Sequence, residues 1–124
     1  MPSFVPRIRV EVYIPIGSSR SYDDSLSWVI EEFTRLRGGC TVNENVGGYY
    51  LSYARDVISD RVNVVYSDFP MNWNKKADRA DVLSYCGTLK QFLFENLCEE
   101  EILITAYPAS HLRELVGAAL VHNS

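Results

Sequence analysis

Residues 7–16 read Arg-Ile-Arg-Val-Glu-Val-Tyr-Ile-Pro-Ile. Ile8, Val10, Val12, Ile14 and Ile16 alternate with Arg7, Arg9, Glu11, Tyr13 and Pro15. A period of two sends the two sets to opposite sides of an extended chain, so the stretch predicts a strand with one buried face. Pro15 has no N–H to give a neighbour and is expected near the strand's end or at an edge.

The residues that follow predict what this strand packs against. Gly17, Ser18 and Ser19 break it, and Ser21 is the expected helix N-cap, with Asp23 and Asp24 complementing the positive helix start. Tyr22, Leu26, Val29, Ile30, Phe33 and Leu36 recur at helical spacing, giving one apolar stripe. Gly38 and Gly39 stop the helix, one of them in the left-handed conformation. A short strand is expected at 40–43, a turn at 45–48, an extended segment at 49–53 and a polar connection at 55–60. Residues 61–67 form the next strand, with Val62, Val64 and Tyr66 on one face and Asn63, Val65 and Ser67 on the other. The second and third strands then pair antiparallel through an irregular hairpin that carries Tyr49 and Tyr50. After a loop at 68–77, a second helix is predicted over about 78–97, with Val82, Cys86, Leu89, Leu93 and Leu97 as its stripe. Residues 101–107 make the last strand, which Pro108 is expected to end. Leu112, Leu115, Val116, Ala119 and Leu120 predict a short C-terminal helix over about 110–121.

The order strand, helix, strand, strand, helix, strand, with right-handed crossovers, gives a βαββαβ sandwich. A four-stranded antiparallel sheet carries both helices on one face, which is the α+β ferredoxin-like arrangement. The 124 residues suit a single domain over 1–124, with its core at about 7–107, and need no disulfide or metal to fold.

VEVYIP at 10–15, LRGGCTV at 36–42, ENVGGYY at 44–50, RVNVVYSDF at 61–69 and EEEILIT at 99–105 together resemble a group of small uncharacterised bacterial proteins with a ferredoxin-like fold. The resemblance spans roughly residues 8–107 and rests on a helix stop, a turn and strand cores. It implies the fold and carries no activity with it.

Charge and cysteine usage exclude several functions. Sixteen acidic against twelve basic residues leave a net charge of −4. The basic residues come as small groups, Arg7 with Arg9, Arg35 with Arg37, and Lys75, Lys76 and Arg79, at the spacing of solvated surface charge. Nucleic-acid binding and attachment to an anionic membrane are therefore disfavoured. The third strand also lacks the Gly and aromatic pattern of an RNA-reading sheet. Cys40, Cys86 and Cys98 form no CxxC pair, so free thiols in a reducing, cytoplasmic setting are expected. The start of the chain shows no signal peptide, and no apolar run is long enough to span a membrane. No phosphate-binding glycine motif and no metal-ligand spacing is present, so no cofactor and no metal are expected.

Six residues are singled out as a candidate pocket: Tyr13, Tyr49, Tyr50, Asp68, Trp73 and His111. Tyr49 and Tyr50 follow paired glycines, and one is expected in the core while the other could line a pocket. Asp68 and Trp73 lie in a loop long enough to bind something, though Asp78 reads more simply as a helix N-cap. His111 is the histidine on which acid–base chemistry would rest, since His122 lies near the end, and Ser110 beside it is expected to cap a helix. Cys86 is expected in the core.

The leading expectation is a non-catalytic interaction or regulatory module acting as a homodimer, because a sheet with one helix-free face must cover it. The alternative is a small enzyme or ligand binder of the dimeric α+β barrel type, with a pocket on the open sheet face. That reading requires at least three of the six residues to converge on one cavity.

Overall fold

The computed structural model describes residues 3–97, 99, 101–113, 115, 116, 119 and 120; Tyr50 and the last four are described by their backbone alone. Cys98, Glu100 and His122 lie outside the described residues. Six main elements follow in order: β1 Ser3–Pro15, α1 Arg20–Arg37, β2 Thr41–Leu51, β3 Val57–Phe69, α2 Lys76–Asn96 and β4 Leu103–Arg113. The sheet is antiparallel in the order β2-β3-β1-β4, the ferredoxin-like topology that the alternation and crossovers predict.

β1 occupies a central place for the reason its sequence states. Ile8, Val10, Val12 and Ile14 are fully buried on one face and meet Val29 and Phe33 of α1 and Val82, Leu89 and Leu93 of α2. Phe69 closes one end of this core, edge-on to Phe33 at 6.0 Å between centroids. Leu36, expected on the α1 stripe, is instead half exposed.

Local chemistry sets the helix ends. Ser19, two residues before the expected cap, accepts from the Ser21 N–H at 3.4 Å. Gly38 takes the left-handed conformation (φ 82°) and donates its N–H to Thr34 O at 3.0 Å. Asp78 lies in the first turn of α2 rather than at its cap; it accepts the Asn72 N–H at 3.0 Å and so ties the preceding loop to the helix.

The strands are longer than expected. β2 runs without interruption through 45–48, where the sequence predicts a turn. A bulge between Asn43 and Val46 absorbs the irregularity, with Asn45 at φ 56°. Arg61 donates to the Asn45 side chain (Nε to Oδ1, 2.8 Å), and Asn63 Oδ1 accepts the Asn45 N–H at 3.0 Å, so the bulge is pinned from β3. The reversal comes instead at 52–56, and residues 57–60, expected as a polar connection, belong to β3.

Pro108 does not end β4. β4 is an edge strand, and Pro108 pairs in register with Ile8, so an absent N–H can be tolerated where one side has no neighbour. β4 therefore takes in residues 110–113, the start of the expected C-terminal helix, and Ser110 is a strand residue rather than a cap. Further on, Leu115–Val116 and Ala119–Leu120 pair as a small antiparallel ladder. No C-terminal helix is present among the described residues. The stripe that suggested it is equally compatible with short strands, since a short apolar run does not fix its own period.

Candidate functional site

The outward residues of β1 organise the helix-free face. Register places Arg9 between Asp68 of β3 and Tyr107 of β4, and Glu11 between Tyr66 and Thr105. Arg9 grips Asp68 with two bonds, Nε to Oδ1 at 2.7 Å and Nη2 to Oδ2 at 3.0 Å, and its guanidinium lies 4.3 Å over the Tyr66 ring. His111 Nε2 sits 2.5 Å from the same Asp68 Oδ2. Burial pushes the Asp68 carboxyl up, but hydrogen bonds from Arg9 and His111, with their charges, outweigh it and hold it below the ordinary carboxylate range.

Glu11 forms a second, hydroxyl-rich knot. It accepts from Tyr13 at 2.9 Å, from Thr105 at 3.2 Å and from Tyr107. Burial, then the Glu11 carboxylate, pushes the Tyr13 phenol up; for Tyr107 the hydrogen bond to Glu11 comes first. Both phenols therefore keep their protons at neutral pH and act as donors, not as bases.

A cleft of about 210 Å³ opens beside this network, where β2 begins and the end of β3 has no β2 partner. Tyr66, Ser67 and Asp68 of β3 and His111 of β4 line it together with Arg37, Gly39, Cys40 and Thr41. The Ser67 hydroxyl donates to Gly39 O at 2.8 Å, and the Cys40 thiol faces Ile30 O at 3.9 Å. Asp68 and His111 have the look of a base and its orienting acid, but among the described residues no serine, threonine or cysteine is hydrogen-bonded to His111. No group of three or more His, Cys, Asp or Glu side chains is placed to hold a metal among the described residues.

Of the six residues singled out from the sequence, Asp68 and His111 share this cleft. Tyr13 stands nearby on the same face, tied to Glu11. Tyr49 is exposed on the β2–β3 hairpin, and the side chain of Tyr50 lies outside the described residues. Trp73 packs against the core, and its carbonyl accepts from Arg79 at 2.6 Å, so the loop that carries it is a structural strap. Among the described residues two of the six, Asp68 and His111, line one cleft, one short of the three that the enzyme reading requires. Cys86 is half-buried against the core, and burial pushes its thiol up.

The sequence reading missed Arg9, Glu11 and Arg37. Arg9 and Glu11, opposite charges two apart on one face of a central strand, were a usable signal, because such charges need partners on the flanking strands. Arg37 gave no such sign. Its spacing is that of solvated charge, yet its guanidinium lies 4.0 Å over the buried Phe69 ring.

No protein-family model and no curated protein sequence matches the chain. A solved structure does: the crystal structure of CutA1 from Oryza sativa superposes with a TM-score of 0.52 at 16% identity, over 86% of this chain and 82% of that one. A likeness at that identity shows the fold alone. No helix among the described residues is long and apolar enough to cross a membrane.

Proposed function

We propose that this chain is a non-catalytic interaction or regulatory module that works by self-association, with a homodimer as its smallest form. The observation that carries this is a pair of two-stranded arms at opposite ends of the sheet. Beyond the Pro15–Val62 pair, β2 and β3 continue with each other alone. Beyond the Ile8–Phe69 pair, β1 and β4 do the same, from Arg7–Ala109 to Ser3–Arg113. A two-stranded ribbon is marginally stable in water by itself. These ribbons nonetheless carry large apolar side chains in the open. Leu51 faces Val57 across the first arm and Tyr49 lies on the same face; these three are 56%, 73% and 77% exposed. Phe4 faces Leu112 on the second arm, and both are mostly exposed.

Such patches, on ribbons with unpaired outer edges, favour pairing with another chain. A second copy is the natural occupant, because each copy supplies both a ribbon edge and an apolar face. The unpaired Cys40 and Cys86 suit a reducing compartment such as the cytoplasm.

Light scattering behind size exclusion tests the reading. The full chain should run at twice its own mass at micromolar concentration, and the double variant Leu51→Lys with Val57→Lys should run as a folded monomer. A wild-type chain that stays monomeric across that range overturns self-association. A larger closed assembly would keep self-association and remove the dimer.

A further inference from the structure

We infer that the cleft between the end of α1 and the end of β3 that has no β2 partner is a binding site for a small oxyanion, a phosphate or carboxylate group, with Arg37 as its anchor. Arg37 is the last residue of α1, and its guanidinium is laid flat on Phe69 at 4.0 Å. Its Nε is buried and has no hydrogen-bond partner, and the side chain makes no ion pair among the described residues. A buried guanidinium donor without an acceptor is costly, and native structures rarely leave one so. The Nη1 and Nη2 nitrogens are likewise without a partner among the described residues but are not buried, so an acceptor in the cleft that Arg37 lines can reach them. Stacking on a ring also holds the planar fork in one orientation, as two-pronged recognition of a carboxylate or phosphate requires.

The surroundings favour an anion. Asp68 is the acidic residue lining the cleft, and its two oxygens are already engaged by Arg9 and His111. Arg9 balances its charge, which leaves Arg37 as uncompensated positive charge in a cleft that His111 also lines. The other nearby carboxylate, Glu32, accepts the Tyr85 hydroxyl at 3.2 Å and makes no ion pair with Arg37. A volume of about 210 Å³ lies below the ~300–1,000 Å³ of sites for drug-sized ligands, so the occupant is a compact anion or the anionic end of a larger molecule.

The test is a nitrogen-15 NMR titration of the full chain with sodium phosphate and, separately, with citrate, each against sodium chloride at matched ionic strength. Saturable shifts are expected at the Arg37 Nε–H and at the Cys40, Thr41 and Asp68 amides. Stronger binding of phosphate marks a phosphorylated ligand, and stronger binding of citrate marks a carboxylate. Arg37→Gln should weaken the preferred probe by about tenfold or more, while Arg35→Gln should leave it unchanged. The inference is overturned if neither probe moves the Arg37 Nε–H beyond the chloride control, a readout that needs no variant. It is equally overturned if folded Arg37→Gln binds as the wild type does.

Discussion

Replacing Asp68 by Asn keeps the side chain's size and removes its charge, which isolates what the Arg9–Asp68–His111 knot contributes. The Asp68 side chain is 13% exposed and that of Arg9 29%, so neither is fully hydrated. Breaking a wholly buried pair costs ~3–5 kcal/mol, and a hydrogen bond to a charged group contributes ~1.5–3 kcal/mol. Water still reaches Arg9 and His111, which discounts the larger figure, and a loss of about 2 kcal/mol at pH 7 is expected. At ~4 °C per kcal/mol for a chain of this size, the melting temperature should fall by about 8 °C.

The pH dependence fixes the origin of the effect. The folded-state pKa of Asp68 lies below its unfolded value, so its contribution is complete above ~4 and is lost as pH falls through the folded value. Urea unfolding at fixed protein concentration should therefore show the gap between wild type and Asp68→Asn closing as the pH drops from about 5 to about 2. Glu31→Gln is the control. It removes the Glu31–Arg35 pair, whose side chains are 60% and 76% exposed, and should cost no more than ~0.5 kcal/mol. A loss under ~0.5 kcal/mol for Asp68→Asn, or a gap that does not change with pH, would refute the reasoning.

Other expectations follow from packing and backbone geometry. Phe33→Ala empties a fully buried site against Phe69 and should cost ~3–5 kcal/mol, read as a large drop in urea midpoint or outright loss of the folded state. Gly38→Ala forces an L-residue to φ 82° and should destabilise by ~1–2 kcal/mol. Gly39→Ala beside it meets nothing within 4 Å and has no positive φ, so thermal melts should separate the two neighbours clearly.

Where a pattern had one physical solution, it was legible. The alternation buries Ile8, Val10, Val12 and Ile14 on one face, while Ile16, past the end of β1, is exposed; of the second helix's stripe Val82, Leu89, Leu93 and Leu97 are buried and Cys86 is half-buried. Boundaries were less legible. The glycine pair at 47–48 and Asn45 read as a turn because those residues favour turns, yet the long-range clamp from Arg61 and Asn63 makes the segment a bulged strand. Pro108 reads as a stop in any local argument, and only its place on an edge strand removes the objection.

The site divides along the same line. From sequence alone came the strand faces, the ferredoxin-like order and the suspicion that Asp68 and His111 matter, because those follow from local period, handedness and side-chain type. The tertiary structure decided that Asp68 meets Arg9, 59 positions away, and His111, 43 away, while Tyr49 and Trp73 are sent elsewhere. It also turned Arg37 from a surface charge into a stacked, unpartnered guanidinium. Contacts of that range depend on how strands register and how a helix end meets a sheet edge, and no local window of sequence contains both partners.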